Sequence, residues 1–193
     1  MIASVILLQL SNGANSLIDA GACTIPDYEK WLLLNDFSFS LENNSEDYTA
    51  SEVTSSPQKP QAIDVNKALD QSTVYLMHLA AQDRSTKESE IDKRTAKITV
   101  LESKNFGSKD TRADKLYPTV QFLLGSVRIK KWSINVQAES AATESFSLLF
   151  RQFSMVYSGQ KIGSTSITRF GPKSWDETER DDWSAGDGKW YVR

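Results

Sequence analysis

Cys23 and His78 are the one cysteine and the one histidine in 193 residues, so thiol chemistry would have to run on that single pair. A cysteine nucleophile needs a positioned base to make its thiolate, and here the two stand far apart in sequence. Cys23 therefore reads as a small residue in a loop. One cysteine allows no internal disulfide, which fits a reducing cytoplasm. No Cys/His cluster exists to hold zinc. The densest acidic set is Asp176, Glu177, Glu179, Asp181, Asp182 and Asp187. Calcium or paired-carboxylate chemistry uses such residues, but the spacing departs from an EF-hand loop, and a solvated charged tail is the plainer reading. Arg128, Lys130 and Lys131 read as the exposed side of a strand, with anion binding as the alternative. Gly163-Ser164-Thr165-Ser166 lacks the lysine and spacing of a phosphate loop. Nucleophile, base and orienter never come together, so the expectation is a non-enzyme with no catalytic residue, metal or cofactor.

The elements that would position any site are mostly strands. At this length one domain spanning 1–193 is expected, with an ordinary apolar fraction of 39% arguing for a folded core. A net charge of −3 disfavours nucleic acid as a partner. No apolar run is long enough to span a bilayer as a helix. Ile2–Leu10 is apolar and Ala20-Gly21-Ala22-Cys23 faintly resembles a lipoprotein processing site. No Lys or Arg precedes the run, however, and Ser11–Ser16 interrupts it. Ala3–Leu10 is expected instead to be a first strand, apolar on both faces and buried on both.

In Trp31–Leu41 the odd positions Trp31, Leu33, Phe37, Phe39 and Leu41 are apolar, the mark of a strand with one buried face. Glu42–Pro60 loses all pattern and reads as a long polar loop. Ile63 and Val65 alternate; Asp70 or Ser72 then supplies an N-cap and Thr73–Ala81 a helix. Thr73, Leu76, Met77 and Ala80 share one helical face, with His78 on the polar side. Arg84–Arg94 reads as a charged connector, Ala96–Val100 as a strand and Lys104–Lys115 as a loop. In Tyr117–Val136 the apolar parity changes at Gly125 and again at Lys130-Lys131. Thr143–Tyr157 changes parity at Arg151-Gln152. Each change marks a turn or bulge, because one inserted residue reverses the facing of everything after it. Long strands of this kind imply a mainly β fold: a bulged, closed or nearly closed β-barrel of two packed antiparallel sheets, with one short α-helix and a long extended loop.

With these pieces in order, the chain resembles the hemolysin-coregulated protein (Hcp) family, the tube subunit of type VI secretion systems. The most specific stretch is Ile63-Asp64-Val65-Asn66-Lys67-Ala68-Leu69-Asp70-Gln71-Ser72-Thr73, followed by Leu76-Met77 and Ala80-Ala81. It is similar to the family's strand ending in lysine, a following aspartate and a Ser/Thr-capped helix. Trp31–Asn43, Ala96–Leu101, Thr143–Leu148 with Tyr157 and Gln160-Lys161, and Arg169-Phe170-Gly171 with Trp175-Asp176 resemble further family strands. Gln137–Ala142 departs from the glycine-rich segment of common members, the tail is longer, and 42–60 is polar rather than glycine-rich.

The resemblance implies a barrel that forms hexameric rings stacked into a tube. A contractile sheath would expel that tube to deliver spike protein and secreted effectors. The protein would be cytoplasmic before firing and secreted without a Sec signal, with no direct membrane insertion. On this reading Val5, Leu7, Leu8 and Leu10 carry more apolar surface than a lone barrel needs and are expected at the subunit interface. Asn43, Asn44, Glu46 and Tyr48 are expected to stack one ring on the next. A contractile phage-like tail-tube subunit is the nearest alternative. A carbohydrate- or ligand-binding β-barrel, using Trp175, Trp183 and Trp190 as stacking platforms, belongs to a different class.

Overall fold

The computed structural model describes residues 4–40, 61–103, 116–160, 167–177, 181 and 183. Among these the strands are β1 (Ser4–Asn12), β2 (Asn15–Ser16), β3 (Leu32–Leu34), β4 (Asp36–Phe39), β5 (Gln61–Ala68), β6 (Arg94–Ser103), β7 (Leu116–Gly125), β8 (Arg128–Asn135), β9 (Thr143–Phe150), β10 (Gln152–Gln160) and β11 (Ile167–Asp176). They form two antiparallel sheets. One has the order β11-β10-β7-β6-β1-β2 with β3 also on β1; the other is β4-β5-β9-β8. Helix α1 spans Thr73–Gln82 and helix α2 spans Glu88–Ile91. The charged connector thus holds a second helix, one turn long, anchored by the buried Ile91.

The parity changes are where the sheets join. β7 runs into β8 across Ser126-Val127, and β9 runs into β10 across Arg151. Because β7 pairs β10 and β8 pairs β9, the four make one long hairpin bent from one sheet into the other. The flip at Lys130-Lys131 is a β-bulge between Ile129 and Lys131. At the bend, a Cβ on Gly125 would lie 2.3 Å from Gln152 Oε1 and 3.1 Å from Gln152 Cβ, so any larger residue there must push the Gln152 side chain aside.

A second crossing escapes the alternation. The Trp31–Leu41 strand is broken at Asn35: β3 pairs β1 in the large sheet, whereas β4 pairs β5 in the small one. Inward parity therefore changes, with Leu32 and Leu34 buried, Phe37 and Phe39 packed on the core, and Leu33 exposed. The run Trp31-Leu32-Leu33-Leu34 hides the change because either parity looks apolar. With this crossing the paired strands make a circuit from β4 through β5, β9, β8/β7, β6 and β1 back to β3/β4.

The core between the sheets takes Leu8 and Leu10 from β1, Ile63 and Val65 from β5, Ile98 from β6, Phe122 and Leu124 from β7, and Phe146, Leu148 and Phe150 from β9. Leu76 and Leu79 of α1 close one side. Rings of Phe39, Phe122, Phe150 and Phe153 meet with centroids 5.4–6.0 Å apart. Each such pair adds about 0.5–1.5 kcal/mol beyond its area burial.

Candidate functional site

Helix α1 is tied to the surrounding strands by charged groups at both of its ends. Lys67 shares parity with Ile63 and Val65 on β5, and Glu144 shares parity with Phe146, Leu148 and Phe150 on β9, so the pleat turns both charged side chains inward. Both are fully covered. Lys67 Nζ donates to Glu144 Oε1 at 2.7 Å, Asp70 Oδ1 at 3.0 Å and the Ala68 carbonyl at 2.8 Å. All three ammonium protons are used. Glu144 also accepts from Thr73 Oγ1 at 2.6 Å and Trp132 Nε1 at 2.7 Å. Three strands and the first turn of α1 thus share one carboxylate. Breaking such a buried pair costs about 3–5 kcal/mol, because the surviving charge stays buried.

Ser72 occupies the N-cap position of α1 but makes no capping bond with its side chain. Its N–H and hydroxyl both donate to Asp70 Oδ1 instead, an Asx-type turn. Burial alone would push the Asp70 carboxyl up; the donors on Ser72 and the Lys67 ammonium outweigh it and hold the group below its usual value. At the other end, Asp83 puts a carboxylate on the negative pole of the helix, unfavourable on its own. It is held there by Arg94 and by the Ile129 N–H at 2.7 Å.

With both ends pinned, α1 turns an apolar side outward. Thr73, Leu76 and Leu79 are its buried residues, whereas Val74, Tyr75 and Met77 are exposed. Met77 was expected on the buried face, and Leu79 takes that place because α1 meets the edge strand β8 from one flank. Beside it, β8 ends in exposed Ile134, followed by exposed Val136. A groove of about 420 Å³ runs between helix and strand, with Met77, Ala81 and Trp132 among its lining and Arg84, Lys130 and Lys131 as its cations.

A second exposed apolar surface lies on β10 and β11. Phe153, Met155 and Tyr157 share one side of β10, opposite Leu124, Phe122 and Val120 of β7. That row starts in the core at Phe153 and runs out of it, with Tyr157 48% exposed. Across the strand pair Tyr157 meets Phe170, itself 57% exposed, with stacked rings 6.3 Å apart. Among the described residues β11 is an edge strand of its sheet.

The remaining expected residues fall as follows. Leu7, Leu8 and Leu10 are buried within the chain, and Val5 is partly covered. Leu8 and Leu10 face the core between the sheets; Leu7, with Val5 packed beside it, joins Cys23, Tyr28 and Leu101 on the other side of the sheet. β1 is therefore apolar on both faces because the segment after β2 folds back over it, and its leucines leave no surface for a neighbouring subunit. Cys23 is buried, and that burial pushes its thiol up, away from a reactive thiolate. Burial, then the Asp27 and Cys23 charges, pushes the Tyr28 hydroxyl to about 12. His78 is on the exposed side of α1, so the structure does not bring it to Cys23. Among the described residues no group of His, Cys, Asp and Glu is placed to hold a metal ion, and no helix is long and apolar enough to cross a membrane. Asn43, Asn44, Glu46, Tyr48, the Gly163–Ser166 segment and Trp190 lie outside the described residues.

The fold has close counterparts among solved structures. A type six secretion system protein superposes with a TM-score of 0.67 at 13% identity, covering 94% of this chain and 100% of its own. Hcp1 from Salmonella typhimurium gives 0.62 at 10% identity, covering 94% and 99%. Hcp3 from Pseudomonas aeruginosa, a secreted protein, gives 0.55 at 9%, covering 90% and 98%. No curated protein matches the chain at a significant level. Residues 8–157, which hold the bent hairpin, the pinned helix and the core, match the family model described as type VI secretion system effector, Hcp, and the chain belongs to that family.

Proposed function

We propose that this protein is the structural subunit of a type VI secretion inner tube, acting by assembly rather than catalysis. Protomers form hexameric rings, the rings stack, and a contractile sheath expels the tube with its spike and effectors. Membership of the Hcp family over residues 8–157 carries this reading. The surface chemistry agrees with it: apolar side chains are exposed on α1, on β8 and on β10–β11, although the core is complete without them. Exposed apolar side chains that meet one another, as Tyr157 and Phe170 do, are the kind of surface that protein interfaces use. Two different patches on one protomer suit a head-to-tail contact, which closes into a ring or runs on as a filament.

In the same reading, residues 42–60 contact the next ring through Asn43, Asn44, Glu46 and Tyr48. Polar contacts of that kind stay reversible because water competes for every bond. Negative-stain electron microscopy of the purified protein should show six-membered rings. Shortening Asn44–Ser56 to a few glycines should leave rings intact, since loop length costs little, and abolish stacking and secretion. Tubes of normal length from the shortened chain would remove the loop from the account; monomers throughout would remove the ring.

A further inference from the structure

Two lysines that follow one another on a strand should point to opposite faces, yet Lys130 and Lys131 of β8 both line the α1–β8 groove. The β-bulge between Ile129 and Lys131 allows it, because an extra residue re-aims the side chains around it. Arg84, one residue beyond the C-cap Asp83 of α1, lines the groove from the helix side. None of the three takes part in an ion pair among the described residues, whereas the nearby Arg94, Arg128 and Arg151 are all paired with carboxylates. Asp83 does not cancel the three cations, since its carboxylate is taken up by Arg94 and the Ile129 N–H.

Between the cations the groove is apolar, with Met77, Ala80 and Ala81 from the helix and Ile129 and Trp132 from the strand. Both walls are fixed. Thr73 and the Trp132 indole share Glu144 at one end, and Asp83 holds the Ile129 N–H at the other. A groove with fixed walls loses little ordering entropy when it is filled. Its volume of about 420 Å³ lies within the range of pockets for small ligands, so an occupant enters with a few side chains.

Such a groove calls for carboxylates to meet the cations and one apolar or aromatic side chain to cover the floor. The described part of this chain does not supply them. Asp70, Asp83 and Glu144 are held in the clamps of α1, and Glu88, Glu90 and Asp92 are paired with arginine or lysine. Asp27 and Glu29 are exposed but stand beside the exposed Lys30. The aromatic surface of β10–β11 brings Lys173, opposite Met155, and so repeats the charge of the groove. A nucleic acid would find only three cations there on a chain of net charge −3. We propose that the α1–β8 groove binds a short acidic segment of a partner protein, with its carboxylates on Arg84, Lys130 and Lys131 and an apolar side chain over Met77, Ala81 and Trp132. Opposite charge fixes the register of such a contact and rejects wrong partners. Val74, Tyr75 and Ile134 are exposed outside the groove lining and stay available to a neighbouring protomer. Such binding goes beyond the tube reading and does not require the ring.

Fluorescence anisotropy on the full-length protein tests this with a labelled, glutamate-rich peptide carrying one central tryptophan, and with the same peptide in which every glutamate is glutamine. The glutamate peptide should saturate the protein and weaken as salt is raised, and the glutamine peptide should bind about tenfold more weakly or less. Lys130→Glu/Lys131→Glu should weaken the glutamate peptide by about tenfold or more, and Met77→Ser by roughly threefold to tenfold. Circular dichroism should be unchanged in both variants, because all three side chains are exposed. Equal binding of the two peptides, or a lysine variant that binds the glutamate peptide as tightly as wild type, would overturn the site. Tighter binding of a single-stranded oligonucleotide than of the peptide would overturn the choice of partner. Loss of self-association in the lysine variant, read by light scattering, would overturn it too and give the groove to a second copy of this chain.

Discussion

β1 and β11 both belong to the seven-stranded sheet and both present apolar side chains on a face that one packed core does not explain. The chain treats them in opposite ways. Around β1 it supplies its own cover: the segment carrying Cys23 and Tyr28 packs over Leu7, while Leu8 and Leu10 enter the main core. Around β10–β11 the described residues leave Met155, Tyr157 and Phe170 exposed, continuing the row of Phe153 beyond the core. An apolar pattern thus says which side chains demand cover, and topology decides whether that cover is internal. β1 has paired neighbours on either side, whereas β11 is an edge among the described residues. Edge strands with open backbone and apolar side chains invite another chain.

The comparison breaks hardest at the clamp that fixes the barrel around α1. Glu144→Ala should destabilise the protein by about 3–5 kcal/mol, because Lys67 would remain buried with a single carboxylate partner; denaturant unfolding near neutral pH measures it. Leu8→Ala removes a fully buried side chain from the covered strand and should cost about 2–5 kcal/mol in the same assay.

Much of this architecture is legible in the residues. The parity changes at Gly125, Lys130-Lys131 and Arg151-Gln152 give the two corners and the bulge of the bent hairpin, since one extra residue must reverse facing. Lys67 and Glu144 were readable too, as charged residues on the apolar parity of their strands. What pattern alone conceals is their partnership, which joins residues far apart in sequence. The crossing at Asn35 is concealed for another reason, because consecutive leucines satisfy both parities. Why Leu7 is covered and Phe170 is not cannot be seen in either strand: it depends on which segment folds back, and β11 itself, with Gly171 and Pro172 in its middle, shows no alternation. Only the resemblance marks Arg169-Phe170-Gly171 as strand.

A smaller effect sharpens the account of the clamp. The Asp70 carboxyl is held below its usual value in the folded state. Its stabilisation is therefore complete above the unfolded pKa near about 4 and is lost as pH falls through the lower folded value. Asp70→Asn should flatten the fall in stability below about pH 4, read from denaturant unfolding across that range. An unchanged acid slope would show that other carboxylates set it.

The most direct test of the central claim, that β10–β11 is left uncovered for a neighbouring subunit, is the molar mass in solution of wild type and of the Tyr157→Ser/Phe170→Ser variant. Both side chains are about half exposed and stacked on each other, so the double change should cost the protomer on the order of 1 kcal/mol and leave it folded. Light scattering should give about six protomers per particle for wild type and a much smaller species for the variant at equal concentration. Rings of equal size and equal dissociation midpoint from both proteins would contradict the account.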